Sequence, residues 1–336
     1  MSVPAPDRFR QLILPSGAAI ALLLYLAMYG IYASRTPSAF SLFGITNLLD
    51  NTVVLAIAAA GLTLVILTGE LDLSGIGVIS IANVVVATTS NGLGWFGALA
   101  VVLAIGLAIG LLNGWLVAVL GLQSLAATIG TMFACEGVAL LILSAPGGEV
   151  ADAIANGLTG DFAGVFPVAG VIIAGLFGVW ALLARTRIGI AMYAVGADEH
   201  AARLSGLNVR RTKLIAFAFA GLAYAFAGYM LSAETGTGDP RGSDAFLLFM
   251  YASIAIGGTS LMGGRGGVFG SVVGAGILTV MQKMLFALGV AEFYTNIFNG
   301  IIMLVAIFIG NLAAIMARTR SAGTHSRLAK QQQDAI

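Results

Sequence analysis

Two carboxylates and a hydroxyl lie close together in the segment Gly69-Glu70-Leu71-Asp72-Leu73-Ser74-Gly75, where one apolar run ends and another begins. A carboxylate at mid-bilayer costs about 2.5–3.5 kcal/mol, so such a group in a membrane segment indicates function. The glycines allow a helix to break, and broken helices can line a transport pathway. A structural turn or helix cap at the inner membrane edge explains the same residues equally well. The segment predicts either a substrate pathway at Glu70, Asp72 and Ser74 or a turn.

Further polar residues interrupt other apolar runs. Glu136 follows Thr128 and Thr131, and steps of three and five residues spread these side chains around a helix, so they share a polar face only in part. Hydrogen bonds between helices account for such groups in lipid. Neutral amides and hydroxyls also suit a polyhydroxylated substrate. We assign to the candidate pathway Glu70, Asp72, Ser74, Asn83, Asn113, Thr128, Thr131 and Glu136, and we note additional polar side chains at Gln282, Lys283 and Asn299.

The sequence carries none of the patterns that mark common enzymes. No lysine follows a glycine in a G-x-x-x-x-G-K-[ST] pattern, and neither H-E-x-x-H nor G-x-S-x-G occurs. Cys135 is the single cysteine, and His200 and His325 lie apart from each other. We therefore predict no catalytic residue, no metal site and no cofactor bound by this chain.

Composition places the chain in a membrane. Hydrophobic residues make up 59% of the 336 residues and charged residues only 9%, too little polar surface for a soluble globule. A span needs about 20 helical residues. Ten spans are predicted, at 17–34, 49–68, 74–90, 95–120, 124–144, 165–184, 214–233, 245–262, 267–289 and 294–314. They form a transmembrane domain over 17–314, between polar segments 1–16 and 315–336. The span 74–90 is the weakest, and we expect it to be tilted, re-entrant or broken.

The grouping of basic residues sets the orientation. Basic residues next to spans stay in the cytoplasm. Most of the sixteen lysines and arginines fall in the N-terminal segment, the loop 185–213 and the C-terminal tail, which ten spans place on one side. We predict that both termini and this loop are cytoplasmic. The loop 145–164 carries Glu149, Asp152 and Asp161 and no basic residue, so we predict that it is external and available to an external partner.

The loop 185–213 contains the pattern of a short helix. Asp198 and Glu199 suit the positive end of a helix, Arg203 suits its negative end, and Gly206 can adopt the left-handed conformation that ends it. A folded loop suggests a docking surface, although a solvated basic loop with some helix is the simpler alternative.

Glycine occurs 45 times, and two series repeat at every fourth residue. They are Gly106, Gly110, Gly114 and Gly266, Gly270, Gly274. That spacing puts each series on one helical face, where a neighbouring helix can approach closely in lipid. We predict helix packing at both series.

Five segments in order give the chain a family resemblance. They are ILTGELDLSGIG (66–77), GLLNGWLV (110–117), ATIGTM (127–132), TRIGIAMYAVGADEHAARLSGLNVRRTK (186–213) and IAIGGTSLMGGRGGVFGSVVGA (254–275). Together they resemble the ribose-type permeases, the membrane subunits of bacterial ATP-binding-cassette sugar importers. Departures are Glu70 after a single glycine, Gly196-Ala197-Asp198 where an asparagine is common, and the lack of a proline within Gln123-Ser124-Leu125-Ala126.

The resemblance implies an all-α membrane protein with the bundle of a type II importer permease, in the bacterial inner membrane. It implies that two copies form the pathway for a monosaccharide or related polyol. It also implies a periplasmic sugar-binding protein and a cytoplasmic ATPase that uses ATP and docks on the loop. The docking residues would be Gly196, Asp198, Glu199, Ala202, Arg203 and Gly206. Two alternatives remain: a secondary transporter that uses Glu70, Asp72 or Glu136 as a proton relay, and a scaffold that carries no solute.

Overall fold

A computed structural model describes residues 17–289 together with 297, 300 and 301. This part of the chain holds eleven α-helices and one short hairpin: α1 (Gly17–Arg35), α2 (Leu42–Leu67), α3 (Gly75–Ala118), α4 (Ser124–Ile142), α5 (Asp152–Leu158), β1 (Asp161–Phe162), β2 (Phe166–Pro167), α6 (Val168–Arg185), α7 (Arg187–Ala197), α8 (Glu199–Leu204), α9 (Val209–Thr235), α10 (Phe246–Ile256) and α11 (Val268–Ala287). The polar segments 1–16 and 315–336, nearly all of the predicted span 294–314, and Asn299 fall outside the described residues.

The predicted all-helical membrane architecture is confirmed. Seven of the described helices are long and apolar enough to cross a membrane. The longest, α3, has 44 residues and contains Gly94 at φ 68° and ψ −179°. This non-helical glycine divides α3 into two crossings, so the predicted spans 74–90 and 95–120 meet at a kink without an intervening loop.

The predicted span 245–262 is wrong in its length. Helix α10 has 11 residues, which at about 1.5 Å per residue covers roughly half of the 30 Å hydrocarbon core. The polar segment 236–245 precedes α10. Two residues after the helix ends at Ile256, Gly258 adopts a φ of +78°. Helix α10 is therefore a half-helix that begins within the bundle.

The core of the bundle consists of α2, the first half of α3, and α9. Almost every residue of α2 from Thr52 onward is buried, whereas α1 and α6 each bury a single residue, Ala21 and Ala169. The hydrophobic core cluster joins residues of α2, α3, α9, α10 and α11. Helices α1 and α6 therefore lie at the periphery of the described bundle.

The first glycine series lies where α3 meets α9. A Cβ added to Gly106 would lie 2.3 Å from the carbonyl oxygen of Gly221, and one added to Gly110 would lie 2.4 Å from that of Phe217. A Cβ on Gly114 would lie 2.9 Å from the Cα of Leu214. The two helix backbones are in direct contact along this face.

The second series is only partly helical. A Cβ on Gly270 would lie 2.1 Å from the carbonyl oxygen of Gly257, and one on Gly274 would lie 2.0 Å from that of Ser253. Gly266, however, precedes the first residue of α11 and has a φ of +105°. The prediction that it shares a helical face with the other two is wrong, because the chain has already left helical geometry there.

The predicted external loop folds into α5 and the β1–β2 hairpin. Asp161 pairs with Pro167, and Phe162 pairs with Phe166. The Asp50 Oδ2 atom of α2 accepts a hydrogen bond from the Gly160 amide at 3.1 Å, which fixes the start of the hairpin to the bundle.

Candidate functional site

The segment 68–74 is an ordered turn between α2 and α3. Gly69 adopts a φ of +83° after the last turn of α2. The Asp72 Oδ1 atom accepts hydrogen bonds from the Ser74 amide at 2.9 Å and from the Ser74 hydroxyl at 2.6 Å. Asp72 is 2% exposed and Ser74 is 1% exposed. Two of the three residues predicted from this segment, Asp72 and Ser74, therefore form a closed, buried turn.

Helix α4 holds this turn in place. The Ser124 hydroxyl accepts a hydrogen bond from the Leu71 amide at 3.2 Å, and the Thr128 hydroxyl accepts one from the Leu73 amide at 3.1 Å. Both hydroxyls satisfy backbone amides that the broken helix leaves without helical partners. Thr128, predicted for the pathway, thus supports the turn.

A hydrogen-bond chain extends from the turn across two helices. Asn113 Nδ2 donates to the Ser74 hydroxyl at 2.8 Å, and the Thr131 hydroxyl donates to Asn113 Oδ1 at 2.8 Å. The structure thus brings together Asp72, Ser74, Asn113 and Thr131. Because Ser74 and Asn113 are buried and paired, they are placed to hold α3 and α4 in register.

A second break, at residues 236–245, lies between α9 and α10 and repeats the local chemistry of the first. Thr235 and Gly236 end α9, with Gly236 at a φ of +69°. The Asp239 Oδ1 atom accepts a hydrogen bond from the Arg241 amide at 2.9 Å. The pattern Thr-Gly-x-x-Asp occurs in both breaks, at 68–72 and at 235–239. Comparing these two stretches of sequence would have revealed the second break.

The second break runs along the first half of α3. Asn83 Oδ1 accepts a hydrogen bond from the Asp239 amide at 2.6 Å, and Asn83 Nδ2 donates to the Ser232 hydroxyl at 2.9 Å. The Ser243 hydroxyl donates to the Ile76 carbonyl at 2.9 Å and lies 2.6 Å from the Ser80 hydroxyl. Asn83, predicted for the pathway, is buried and anchors this irregular segment.

Glu136 lies apart from the buried chain. It is half-buried on α4, and its charge interacts with those of Asp244 and Arg241 from the second break. Both of those residues are exposed in the single chain. A charged surface therefore joins α4 to the second break.

The helix predicted in the loop 185–213 is confirmed as α8. The Asp198 Oδ1 atom caps it by accepting a hydrogen bond from the Ala201 amide at 2.9 Å, and Gly206 follows its end with a φ of +82°. Arg203 Nη2 pairs with Glu199 Oε1 at 2.8 Å, one helical turn away. Ala202 is buried and packs against α7 and α9. Helix α8 thus has a defined position on the bundle.

Glu70 interacts with the loop 185–213 and not with the buried turn. Lys213 Nζ, on the first turns of α9, lies 2.6 Å from Glu70 Oε1 and 2.6 Å from Glu199 Oε2. The hydrogen bond from Lys213 lowers the pKa of Glu199 below its ordinary value of 4.5. The sequence identifies Lys213 only as a basic residue of the loop 185–213, because nothing in it shows that two carboxylates lie beside this lysine.

A glycine junction lies beside this ion pair. A Cβ added to Gly196 at the end of α7 would lie 2.0 Å from the Leu67 carbonyl oxygen, and one on Gly263 would lie 2.8 Å from the Gly69 backbone. The Gly264 amide donates to the Leu67 carbonyl at 3.2 Å. The end of α2, the end of α7 and the loop before α11 therefore meet backbone to backbone.

A cavity of about 400 Å³ opens next to the Lys213 ion pairs. Its wall includes Glu70, Glu199, Arg203 and Lys213, together with the connection between α3 and α4. Among the described residues, no group of three or more His, Cys, Asp or Glu side chains is placed to hold a metal ion.

The fold and the two breaks define a multi-pass membrane protein whose irregular segments are held by polar side chains. The chain belongs to the family described as the permease component of the branched-chain amino acid transport system, whose model matches residues 44–307. It is thus a permease subunit of the inner membrane, and the comparisons do not favour a stand-alone secondary transporter.

Relatives in bacteria cover nearly the whole chain. The ribose import permease protein of Escherichia coli K12 is 32% identical over 303 residues, covering 87% of this chain and 92% of the relative. A probable ABC transporter permease protein of the same strain is 33% identical over 313 residues, covering 90% and 91%. The fructose import permease protein of Bifidobacterium longum is 37% identical over 298 residues, covering 82% and 81%. The comparison with solved structures finds no match.

Proposed function

We propose that this chain is the membrane subunit of an ATP-driven importer that passes a monosaccharide or related polyol across the inner membrane. The relatives named for ribose and fructose import support the substrate class, and the relative named as a probable ABC permease supports the energy source. The chain makes and breaks no covalent bond in this account. ATP is used by a separate cytoplasmic subunit, and no cofactor is bound here.

The pathway is proposed to run along α4 and the second break. The observation that carries this proposal is the set of charged residues Glu136, Arg241 and Asp244, which are not enclosed by the single chain. Charged side chains at membrane depth face a water-filled cavity or a protein partner and avoid lipid. We assign to the support of this pathway the buried residues Asp72, Ser74, Asn113 and Thr128 and the half-buried Thr131. Asn83 is assigned to the support of the second break.

A second copy of the chain is proposed to close the pathway. Helix α4 also exposes large apolar side chains, among them Phe133 at 62% and Leu141 at 87%. A face that combines such residues with a carboxylate suits contact with protein around an aqueous path better than contact with lipid on every side.

The cytoplasmic ATPase is proposed to dock on α8. This helix presents an exposed Arg203 and an exposed Leu204 while Ala202 fixes it to the bundle. A partner can shift the permease between conformations only if it binds them with different free energies. Glu199, through Lys213, connects α8 to the first break, so a partner bound to α8 is in contact with an element that reaches the pathway.

The external side is proposed to receive a sugar-binding protein. Helix α5 and the β1–β2 hairpin form an ordered surface that carries Asp152 and Asp161, in the loop that lacks basic residues. Delivery by such a partner would place much of the substrate selection outside this chain.

Uptake by cells tests the energy source. Cells that express the chain with its transport partners should accumulate a labelled pentose or hexose, and ATP depletion should stop this accumulation. Dissipating the proton gradient while ATP is maintained should leave the accumulation of labelled sugar unchanged. Uptake that collapses with the gradient and ignores ATP depletion would instead support a secondary transporter.

A further inference from the structure

Lys213 joins two parts of the molecule that are far apart in sequence. Its ammonium group lies 2.6 Å from Glu70, which follows α2, and 2.6 Å from Glu199, which begins α8. The three residues come from three separate elements. They form a charge bridge, Glu199–Lys213–Glu70, between the cytoplasmic loop and the first break.

Burial makes the loss of one partner of this bridge more costly than at an ordinary surface contact. The Lys213 side chain is 10% exposed and that of Glu70 is 16% exposed, whereas Glu199 is 43% exposed. An exposed ion pair contributes little, but removing one partner of a buried pair leaves a charge without compensation. The Lys213–Glu70 ion pair is therefore shielded from solvent, whereas the Lys213–Glu199 ion pair is partly exposed to it.

The bridge continues into the turn that α4 holds. Leu71, next to Glu70, donates its amide to Ser124, and Asp72 follows it in the chain. A displacement of the Glu70 backbone would therefore strain the hydrogen bond between the Leu71 amide and Ser124 of α4. Helix α8 otherwise attaches to the bundle through a small apolar cluster of Val195, Ala202 and Val209.

We propose that Lys213 is the positioning residue that transmits movement of α8 to the first break. This inference rests on the proposed function, because it assigns a role within a complex with an ATPase. When the partner displaces α8, Glu199 moves with the helix and shifts Lys213 through their ion pair. Lys213 in turn shifts Glu70 and the turn at residues 68–74. The structure of the wall formed by α4 then changes with the state of the ATPase.

The test is the amount of substrate transported per ATP hydrolysed by the purified complex in proteoliposomes. Lys213→Met should leave the ATPase subunit bound and ATP hydrolysis active, but it should lower this ratio about five-fold or more, as loss of a typical coupling energy between two sites does. Lys213→Arg should restore most of the ratio. A wild-type ratio in Lys213→Met would overturn the inference.

Two further variants keep the test decisive. Glu199→Gln leaves the buried Lys213–Glu70 pair intact, so it should fold even if Lys213→Met does not, and it should lower the ratio. Unchanged coupling in Glu199→Gln would also contradict the bridge. Arg211→Met, on the same helical turns with an exposed side chain, serves as the control and should keep the wild-type ratio. Absence of any ATP-dependent uptake by the wild-type complex would contradict the proposed function itself, and the bridge with it.

Discussion

Asp72 and Asp239 occupy equivalent positions in the two breaks of the bundle. Each is the fifth residue of a Thr-Gly-x-x-Asp segment. Each carboxylate accepts a hydrogen bond at 2.9 Å from the backbone amide of the residue two positions later in the chain. The glycine of each segment has a positive φ. Both breaks are thus built by the same local interactions, and both carboxylates act as hydrogen-bond acceptors.

This role predicts how Asp72 tolerates substitution. Asp72→Asn keeps an acceptor oxygen for Ser74, so transport should persist, whereas Asp72→Ala leaves buried donors unpaired and should destabilise the protein by about 1–3 kcal/mol. Uptake and thermal unfolding of the two purified variants provide the measurement. Loss of uptake in a stably folded Asp72→Asn protein would indicate a titrating group, as a proton relay requires, and would contradict the structural role.

Close contact between α3 and α9 predicts a strong effect of one methyl group. Gly110→Ala places a Cβ against the Phe217 carbonyl, so the helices must separate, at an expected cost of about 1–3 kcal/mol. The thermal unfolding temperature of the purified protein should fall. Gly175→Ala on the peripheral helix α6 is the matched control, since nothing lies within 4 Å of the added Cβ. Equal stability of the two variants would show that the contact is looser than described.

The second copy proposed at α4 predicts a specific cross-link. After Cys135→Ala removes the single native cysteine, Phe133→Cys should form a disulfide between copies in the membrane, because Phe133 is 62% exposed on the proposed contact face. Leu182→Cys on the peripheral helix α6, which is 72% exposed, should remain monomeric under the same oxidation. Cross-linking at Leu182 but not at Phe133 would place the interface elsewhere.

The ion pairs of Glu199 predict a pH dependence. The folded state lowers the pKa of Glu199, mainly through the hydrogen bond from Lys213, so this stabilisation is present above the ordinary value of 4.5 and is lost as the pH falls through the lower folded value. Wild-type protein should therefore unfold at a higher temperature than Glu199→Gln at pH 7. The difference should shrink below about pH 4.5. A difference that does not change over this range would mean that Glu199 is not stabilised as a carboxylate.

The sequence was sufficient for features that depend on local pattern. Apolar length predicted most of the spans, and the cap at Asp198 and the stop at Gly206 predicted α8, because caps depend on neighbouring residues. The length of α10 was not predictable in this way. Its preceding segment is stabilised by Asn83 and Ser80, which lie more than 150 residues earlier in the chain.

Features that depend on tertiary contact escaped sequence analysis for the same reason. Glu70 and Asp72 are two residues apart, yet Glu70 pairs with Lys213 while Asp72 turns to Ser74. Only the fold places one carboxylate in an ion pair with the loop 185–213 and the other in a buried turn. The kink at Gly94 was likewise hidden, since a glycine between two apolar runs also suits a loop.

Reconstituted transport tests the central claim most directly. The chain would be purified with the cytoplasmic ATPase that copurifies with it and placed in proteoliposomes with a binding protein and a panel of pentoses, hexoses and polyols. We predict uptake of one sugar class that requires ATP, and this result would also identify the substrate. Uptake that proceeds without the ATPase and follows an ion gradient would contradict the account.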